Sequence, residues 1–390
     1  MKKRIAVVTS TRADYGLLRP VIAKINESDR LTLSLIVTGT HLLEPFGRTV
    51  SEIERDGFPI RHETDILKFG FTEEGTARTI GYTVRRFTDL WTEDRPDAVL
   101  VLGDRYEIFA VATAASALSI PIAHISGGDV TRGAKDDFYR HCITKMSSLH
   151  FPSCADSCKR VIQLGEDPST VHNVGGLGNE NIKKVPLMSL EEFKDSIGWP
   201  ELDRFALITY HPVTASGRDV RDDMDRFLKA LERTDLDLLF TKSNRDAGGD
   251  VINRMVDEFC ALHPDRSKAF FSLGLRRYLS AMKYCALVAG NSSSGVVETP
   301  AFGKAAVNVG ERQDGRFIAE NVICCSTSRE SITEALNAAL SEEHRIRCAH
   351  VTNPYEAGVE TSAEIVRIVT EWLSGDIPPK SFHDVEFEIH

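Results

Sequence analysis

The chain has 390 residues, more than one hydrophobic core usually serves, so we expect two domains. Hydrophobic residues make up 42% and charged residues 27% of the sequence, which is ordinary for a globular protein in water. The 57 Asp and Glu residues outnumber the 47 Lys and Arg residues, giving a formal net charge of −10. This balance argues against a general binder of nucleic acid or of anionic membranes, because neither would be attracted at long range.

The cysteines and the apolar segments indicate the compartment. The 8 cysteines lack the paired C-x-x-C spacing of zinc sites, so we expect reduced, buried thiols and no metal. The apolar run after the charged N-terminus is too short for a signal peptide, and no apolar stretch is long enough to span a bilayer. These features predict a cytoplasmic protein without membrane association.

Short apolar runs alternate with helical stretches along nearly the whole chain. In the first half the predicted strands are Ile5–Ser10, Leu31–Thr38, Ala98–Leu102, Pro121–Ile125 and Leu149–Phe151. In the second half they are Phe205–Tyr210, Leu236–Thr241, Ala269–Ser272, Ala286–Ala289 and Ala305–Val309. Predicted helical segments include Leu17–Asn26, Glu107–Leu118, Arg221–Arg233 and Val251–Leu262. Continuous buried runs separated by helices are typical of parallel sheets, so we predict an α/β fold.

A stretch rich in glycine, lysine and proline, residues 175–200, marks the predicted domain boundary. We assign residues 1–180 to a first Rossmann-like domain and residues 181–375 to a second. The last predicted helix, Ser362–Ser374, could pack back on the first domain, and residues 376–390 are expected to form a loosely ordered tail. Two doubly wound domains facing each other across a cleft would bring ligand-binding loops to the carboxyl ends of their strands.

The strand Ala286–Ala289 runs into the turn Gly-Asn-Ser-Ser-Ser-Gly, residues 290–295. Such turns present backbone N–H groups and hydroxyls at a helix N-terminus, where phosphate binds. Glu298 would lie just over one turn into that helix, within reach of a ribose diol. The alternative is an ordinary strand-to-helix loop capped by serine. Because the chain has neither a G-x-G-x-x-G fingerprint nor a Walker A lysine loop, phosphate binding would use another element such as this turn.

Two strand ends of the first domain carry isolated charged side chains. Arg12 follows the first strand and could form a forked contact with a diphosphate, or it could cap a neighbouring helix. Asp104 and Arg105 follow an apolar strand. Alternatively, Asp104 could be an N-cap residue and Arg105 a surface arginine. An apolar strand that ends in adjacent opposite charges favours an active-site assignment.

The segment after the next strand is the richest in acid and base groups. It contains three carboxylates, two histidines and an arginine, namely Asp129, Asp136, Asp137, His124, His141 and Arg140. Paired acids and bases are what proton transfer from carbon requires. If residues 136–141 begin a helix, Asp137 and His141 share a face. Any single member could instead cap a helix.

Three residues of the second domain also follow predicted strands. His211 precedes a proline and could donate to a phosphate or act as an acid or base, although a lone histidine is more often structural. Arg312 could add a second positive group at a diphosphate, and Asn244 follows the second strand of this domain. These are weak signals singly.

Taken in chain order, the motifs resemble one known family. They are Gly103-Asp-Arg-Tyr-Glu, His124-Ile-x-Gly-Gly-Asp, Asp136-Asp-x-x-Arg-His141, His211-Pro-x-Thr214, Gly290-Asn-Ser-Ser-Ser-Gly295 and Arg312-Gln-x-Gly-Arg316. The set is similar to that of the hydrolysing UDP-N-acetylglucosamine 2-epimerases of bacterial sialic-acid synthesis, and the resemblance runs from Lys3 to about Ile368. It implies a glycosyltransferase-B-like fold with the nucleotide sugar between two Rossmann-like domains, no cofactor, and a homodimer or higher homo-oligomer.

The resemblance also implies roles for individual residues. UDP would be bound by Arg12, His211, Ser292, Ser293, Glu298 and Arg312, with Asn244 as a further substrate-binding residue. The sugar would be met by Asp104, Arg105, Asp136 and His141. Family chemistry removes the C2 proton as UDP leaves C1, giving 2-acetamidoglucal, and then adds water to give N-acetylmannosamine. We predict Asp104 and Asp136 as the principal acid/base carboxylates, Asp129 as a third candidate and His211 as an aid to the leaving group; which acts at which carbon stays open.

Ser126 departs from the pattern of many relatives. They carry a glutamate just before the two glycines, and that glutamate has been assigned to catalysis, although other members of the sialic-acid branch also lack it. Since Ser126 cannot act as an acid or base, either Asp129 or another carboxylate takes over, or the substrate differs. The closest rival substrate is UDP-2,4-diacetamido-2,4,6-trideoxyglucose of the legionaminic acid pathway.

Other activities remain alternatives. Non-hydrolysing relatives carry a His-Arg-Arg-Glu-type segment where this chain has His211-Pro-Val-Thr214, which favours the hydrolysing branch. A glycosyltransferase of the same fold would need an acceptor site and would not need so many carboxylates around one Gly-Gly turn. A catalytically silent nucleotide-sugar binder is the third alternative, suggested by Ser126.

Overall fold

The computed structural model describes residues 2–131, 135–213, 219–243 and 248–386. The chain divides into two compact units. Unit 1 comprises Met1–Asp129, Lys135–Glu180 and Tyr355–His390, and unit 2 comprises Val130–Ala134 and Asn181–Pro354. Each unit is built around one parallel sheet.

The sheet of unit 1 contains, within the described ranges, six strands in the order β3-β2-β1-β4-β5-β6. They are β1 (Lys3–Thr9), β2 (Leu31–Thr38), β3 (Ile60–Thr64), β4 (Ala98–Leu102), β5 (Ile122–Ile125) and β6 (Leu149–Phe151). The helices between and after these strands are α1 (Arg12–Glu27), α2 (Val50–Arg55), α3 (Glu73–Glu93), α4 (Tyr106–Ala117), α5 (Lys135–Met146) and α6 (Ala155–Gln163). Helix α7 (Leu177–Lys184) leads into unit 2. Because every pairing is parallel, the carboxyl ends of these strands meet at one edge.

The sheet of unit 2 repeats this arrangement, with six described strands in the order β12-β11-β10-β7-β8-β9. They are β7 (Phe205–Thr209), β8 (Asp237–Thr241), β9 (Ser267–Phe270), β10 (Leu287–Gly290), β11 (Ala305–Val309) and β12 (Val322–Cys325). The helices of this unit are α8 (Leu190–Ser196), α9 (Val220–Leu231), α10 (Gly249–Leu262), α11 (Gly274–Tyr284), α12 (Ser294–Val297), α13 (Arg329–Ala339) and α14 (Glu342–Ala349). Short 3₁₀ helices occur in both units, at Gly39–Leu42, Glu44–Phe46 and Pro168–Thr170 in unit 1 and at Thr299–Phe302 in unit 2.

The central strands form because their apolar runs are buried on both faces. All five residues of β4 and all five of β7 are buried, and helices cover both sides of each sheet. This confirms the predicted α/β fold class with two Rossmann-like sheets. Two strands, β3 and β12, were absent from the prediction, and each is an edge strand of its sheet. Alternate residues of both strands face solvent, and their sequences carry charge or cysteine in place of a continuous apolar run.

The last helix returns to the first sheet. Helix α15 (Thr361–Trp372) packs on unit 1, where Ile365 and Val369 are buried in the same core cluster as Ile5 and Leu18. The serine at its first turn, Ser362, donates from both its backbone N–H and its hydroxyl to the carboxylate of Glu180, each over 2.6 Å.

The described part of the tail, residues 376–386, has no helix or strand, and Lys380 and Phe382 contact unit 1. An ion pair and an aromatic contact supply the stabilisation that regular secondary structure does not. Residues 387–390 lie outside the described part of the chain. A search of the described helices found none with the length and apolar character needed to cross a membrane.

Candidate active site

In unit 1, the end of β4 presents Asp104 at the carboxyl edge of the sheet. Gly103 directly after the strand has φ +83°, a left-handed conformation that glycine adopts at little cost, and it turns the chain towards α4. The carboxylate of Asp104 then accepts a charged hydrogen bond from the guanidinium of Arg140 on α5. Asp104 is thereby bonded to α5, a helix that begins some thirty residues later in the chain.

Arg140 is 1% exposed, and its guanidinium donates hydrogen bonds to three residues. Besides Asp104, it donates to the carboxylate of Asp137 over 3.0 Å and to the backbone carbonyl of Asp129 over 2.9 Å. Burial alone would lower the pKa of Arg140, but the facing carboxylates of Asp104 and Asp129 raise it above its ordinary value, so the guanidinium stays charged. The sequence motif that contains Arg140 assigned it no role. In the structure it bonds to the carboxylates of both Asp104 and Asp137 and so holds them in place.

The Gly-Gly turn after β5 is tightly fixed. Ser126 has φ +65° and Gly128 has φ +81°, so both lie in the left-handed region, which is uncommon for serine. A Cβ on Gly128 would come within 2.2 Å of the carbonyl oxygen of Ser157, so this position requires glycine. The Asp129 carboxylate accepts hydrogen bonds from the hydroxyls of Ser157 (2.6 Å) and Ser153 (3.1 Å), both buried. These bonds favour a role for Asp129 in holding the turn.

Two histidines lie on this part of unit 1. His124 is fully buried; its Nε2 donates to the carbonyl of Gly103 over 2.8 Å, and its Nδ1 lies 3.2 Å from the hydroxyl of Thr144. Burial lowers the pKa of His124 to about 3, so this ring is neutral and fixes the loop that carries Asp104. His141 has Nε2 3.6 Å from the Asp137 carboxylate, and its buried Nδ1 lacks a hydrogen-bond partner among the described residues. Burial also lowers the pKa of His141.

The remaining first-unit candidates lie at helix starts. Asp136 is partly buried in the first turn of α5. Arg12 is the first residue of α1 and pairs with Glu52 over 2.9 Å. Arg105 is the N-cap residue of α4, and its guanidinium donates to the buried carboxylate of Glu107 over 3.1 and 3.2 Å. Arg105 thus has an internal carboxylate partner, which restrains its side chain.

In unit 2, β10 ends at a glycine that no other residue can replace without a clash. Gly290 has φ +132°, and an added Cβ would lie 1.9 Å from the carbonyl oxygen of Thr209 on β7. The following Asn291 is fully buried; its amide accepts from the backbone N–H of His211 (2.7 Å) and donates to the carbonyl of His211 (2.8 Å). Its own carbonyl accepts from Arg312 (3.0 Å) and from Gln313 (2.8 Å). Asn291 therefore joins three loops at the carboxyl edge of this sheet.

His211 is held as a neutral ring. Its Nδ1 lies 3.2 Å from the hydroxyl of Ser243, and the backbone of Ser243 is bound in turn by both ends of the Asn253 amide. Burial, with a smaller contribution from the positive charge of Arg312, lowers the pKa of His211 to about 3. Sequence reasoning missed Asn253, since a single asparagine inside a helix carries no local signal.

The serine turn leads into the short helix α12, as predicted. Ser293 is its N-cap residue, and the hydroxyl of Ser292 accepts from the backbone N–H of Ser294 over 3.4 Å. Glu298 follows the helix directly, and burial of its carboxyl raises the pKa to about 7. The hydroxyls of Ser294 and Tyr278 are hydrogen-bonded. Backbone N–H groups, hydroxyls and an ionisable carboxyl thus lie along this edge.

Two predicted features fall outside what can be described. Asn244 and Thr214 lie in the segments 244–247 and 214–218, outside the described residues. Within the described residues no cluster of three or more His, Cys, Asp or Glu side chains could hold a metal ion.

Comparison with known proteins gives a consistent result. The family model described as UDP-N-acetylglucosamine 2-epimerase matches residues 23–370. The chain is 37% identical over 388 residues to "Polysialic acid biosynthesis protein P7" of Escherichia coli, covering 98% of both chains. It is 36% identical to "GDP/UDP-N,N'-diacetylbacillosamine 2-epimerase (hydrolyzing)" of Campylobacter jejuni, covering 83% of this chain and 84% of the other. The solved UDP-GlcNAc 2-epimerase of Neisseria meningitidis bound to UDP-GlcNAc has a TM-score of 0.80 at 18% identity, over 94% of this chain and 100% of that one, and shows the fold.

Proposed function

This chain belongs to the UDP-N-acetylglucosamine 2-epimerase family, and on that premise we propose that it is the hydrolysing form of the enzyme. It converts UDP-N-acetylglucosamine and water to N-acetylmannosamine and UDP, for the synthesis of sialic-acid-type sugars. The observation that carries the proposal is the Arg140 network, which draws the carboxylates of Asp104 and Asp137 onto one buried cation beside the Gly-Gly turn. Similarity to a polysialic acid biosynthesis protein and to a relative named as hydrolysing supports the same assignment.

The proposed reaction has two halves. First a carboxylate removes the C2 proton while the C1–O bond to UDP breaks, and the electron pair of the C2–H bond forms the C1–C2 double bond of 2-acetamidoglucal. Water then adds its oxygen to C1 and loses one proton to a carboxylate, while a protonated carboxyl on the opposite face delivers a proton to C2. Asp104 and Asp136 are the proposed acid and base. The guanidinium of Arg140 hydrogen-bonds the Asp104 carboxylate and fixes its direction.

Asp129 and His141 have secondary roles in this proposal. Since the Asp129 carboxylate is already bonded to two buried serine hydroxyls, we assign it to supporting the turn and keep it as the third acid/base candidate. His141 and Arg105 contact the sugar. The place of His141 on α5, with Nε2 3.6 Å from the Asp137 carboxylate, supports this assignment.

The proposed UDP-binding groups are Arg12, His211, Ser292, Ser293, Glu298 and Arg312, and Asn244 stays a proposed substrate-binding residue. Arg312 and the N–H groups of the serine turn stabilise the charge that develops on the departing diphosphate. A neutral His211 can donate a hydrogen bond to the same leaving group without carrying charge. Glu298 binds the ribose hydroxyls as an acceptor.

One rival substrate has specific support. The Campylobacter relative is named for GDP/UDP-N,N'-diacetylbacillosamine, whose sugar is the 2,4-diacetamido-2,4,6-trideoxy sugar considered above. A product assay with both UDP sugars, side by side and without an added acceptor, tests the proposal. We expect free UDP and N-acetylmannosamine from UDP-N-acetylglucosamine, with one deuterium at C2 of the product in deuterated water. Turnover of the diacetamido sugar alone would make that sugar the proposed substrate. Release of UDP from neither sugar would favour the alternative of a catalytically silent nucleotide-sugar binder.

Location and assembly complete the proposal. A nucleotide sugar is a cytoplasmic metabolite, so we place the enzyme in the cytoplasm, with neither nucleic acid nor membrane as a partner. We propose a homodimer or higher homo-oligomer. Sedimentation analysis of the purified protein checks the assembly directly.

A further inference from the structure

The segment after α15 is attached to unit 1 at a site remote in sequence. Residues 375–386 follow the helix without regular secondary structure. The ammonium of Lys380 is hydrogen-bonded to three backbone carbonyls, those of Thr144 (3.3 Å), Lys145 (2.7 Å) and Ser147 (2.5 Å). The first two carbonyls lie in the last turn of α5 and the third belongs to the residue just after it; α5 is the helix that carries Asp136, Asp137, Arg140 and His141.

This contact supplies hydrogen-bond donors and positive charge to the C-terminal end of α5. The last four carbonyls of an α-helix have no partner within it, and the helix dipole places partial negative charge there. A lysine ammonium donates up to three hydrogen bonds and carries the complementary charge. Lys380 therefore caps α5 from the opposite end of the chain.

A buried carboxylate holds Lys380 in place. Glu166 is 2% exposed, and one of its oxygens lies 2.6 Å from the Lys380 ammonium. Its other oxygen lies 2.7 Å from Lys145, and Nε2 of the buried His150 donates to the carboxylate over 2.9 Å. Because the carboxylate neutralises the ammonium, Lys380 can reach the partly buried helix end without leaving a lone charge.

A second contact fixes the direction of the tail. The ring of Phe382 packs on Gly165, where an added Cβ would come within 2.3 Å of the ring, and the Lys145 ammonium lies 4.9 Å from the ring centre. The backbone N–H of His383 donates to the carbonyl of Gly165 over 3.0 Å. The tail thus fits a surface shaped for it by a glycine.

The capped end of α5 is connected to Asp104. Thr144, whose carbonyl accepts from Lys380, also contacts Nδ1 of His124 through its hydroxyl, over 3.2 Å. His124 in turn donates to the carbonyl of Gly103, the neighbour of Asp104. Arg140 lies one turn before Thr144 on the same helix and binds the Asp104 carboxylate directly.

From these contacts we infer that Lys380 is a positioning residue, which fixes helix α5 and through it the carboxylates of Asp104 and Asp137. The inference rests on the proposed function, because Asp104 is a proposed acid/base group and Asp137 shares the Arg140 guanidinium that binds it. It adds that the described part of the C-terminal tail supports the candidate site of unit 1.

The test compares Lys380→Met, Lys380→Arg and the control Lys159→Met. Methionine keeps the apolar stem and removes the ammonium, whereas arginine keeps a charged multiple donor. Lys159 lies on α6 with its side chain 79% exposed and pairs with Asp156 over 3.2 Å. For each variant, kcat, the inhibition constant of UDP, and hydrogen exchange of the amides of residues 139–148 are measured.

We expect Lys380→Met to lower kcat about five- to tenfold, the scale of losing a partly buried helix-end charge, while the UDP inhibition constant changes less than about twofold. Amide exchange at the end of α5 should be faster, Lys380→Arg should recover most of both effects, and Lys159→Met should match the wild type. An unchanged kcat, equal losses in kcat and UDP affinity, or a lower kcat without faster exchange would each overturn the inference. If the wild-type protein releases UDP from neither sugar, the proposed function fails, and hydrogen exchange still decides whether Lys380 fixes α5.

Discussion

The carboxylate of Asp104, at the end of β4, is bound by the guanidinium of Arg140, which lies inside α5 and is 1% exposed. A carboxylate at a strand end is ordinarily solvated. Here one buried cation fixes the direction of Asp104 and also bonds to Asp137 and to the Asp129 carbonyl. Catalytic groups need such support, because small displacements of a reacting group cost large factors in rate.

The first prediction concerns Asp104→Asn. The amide keeps the shape of the side chain but cannot accept a proton from carbon, so we expect kcat to fall by roughly 10²–10⁴-fold. Affinity for UDP should be retained, because most of the proposed UDP groups belong to unit 2. Steady-state kinetics and UDP titration measure the two effects. Asp89→Asn, an exposed aspartate on α3, is the control and should behave as the wild type; an active Asp104→Asn enzyme would refute the assignment.

The second prediction concerns Arg140→Met. Removing the cation leaves the carboxylates of Asp104 and Asp137 without their shared partner, so we expect the free energy of unfolding to fall by about 3 kcal/mol. Urea denaturation measures the loss. The exposed Arg78→Met, whose partner is Glu74 over 2.7 Å, should cost less than about 1 kcal/mol.

A double variant makes this prediction specific to the pair. In Arg140→Met/Asp104→Asn one of the two carboxylates that face residue 140 is gone, so the combined loss should be smaller than the sum of the two single losses. Strict additivity would mean that the two side chains do not interact energetically.

The sequence predicted the central strands of both sheets well, because strands such as β4 and β7 are buried on both faces and read as continuous apolar runs. It failed at the edge strands β3 and β12, whose alternating exposure leaves no such run. Motifs at strand ends also located candidate site residues, since parallel strands bring their carboxyl ends together. The roles assigned to those residues stay predictions.

The links between site residues were beyond sequence reasoning. Arg140 and Asp104 are 36 positions apart, and Asn291 and His211 are 80 positions apart. Such pairs are set by the order of strands in the sheet, which local patterns do not encode. The contacts of the tail were beyond sequence reasoning for a similar reason, because a single lysine such as Lys380 gives no signal of the carbonyls that it caps.

The third prediction concerns the pH dependence of stability through Glu298. Its folded pKa is raised to about 7 by burial, so the folded state binds a proton that the unfolded state has released above about pH 4.5. The stabilisation is complete below that pH and is lost as the pH rises towards 7. Between pH 5 and 8 we expect the wild type to lose on the order of 2 kcal/mol relative to Glu298→Gln. Denaturation curves of both proteins at the two pH values measure the difference, and parallel behaviour would contradict the raised pKa.

The fourth prediction concerns Gly290→Ala. A methyl group 1.9 Å from the Thr209 carbonyl oxygen, at φ +132°, must push β10 away from β7. We expect a loss of more than about 3 kcal/mol in stability and no measurable UDP binding. Gly81→Ala is the matched control, because a Cβ there meets no atom within 4 Å in the helix α3. It should gain up to about 1 kcal/mol from helix propensity, so the two substitutions should have opposite signs.

The fifth prediction concerns the charge of His211. With its pKa lowered to about 3, the ring should stay neutral throughout the range in which the enzyme works, so it should contribute no titration to the pH–rate profile. The unfolded chain binds a proton at about pH 6.5, and the free energy of unfolding should therefore fall as the pH drops from about 6.5 towards 3. Histidine-labelled protein followed by NMR from pH 8 to 5 should show a constant His211 signal, identified by its absence in His211→Asn, while free histidine in the same tube titrates. A His211 midpoint near 6.5 would mean that the ring is solvated and charged on binding, and the diphosphate would then be met by an additional cation.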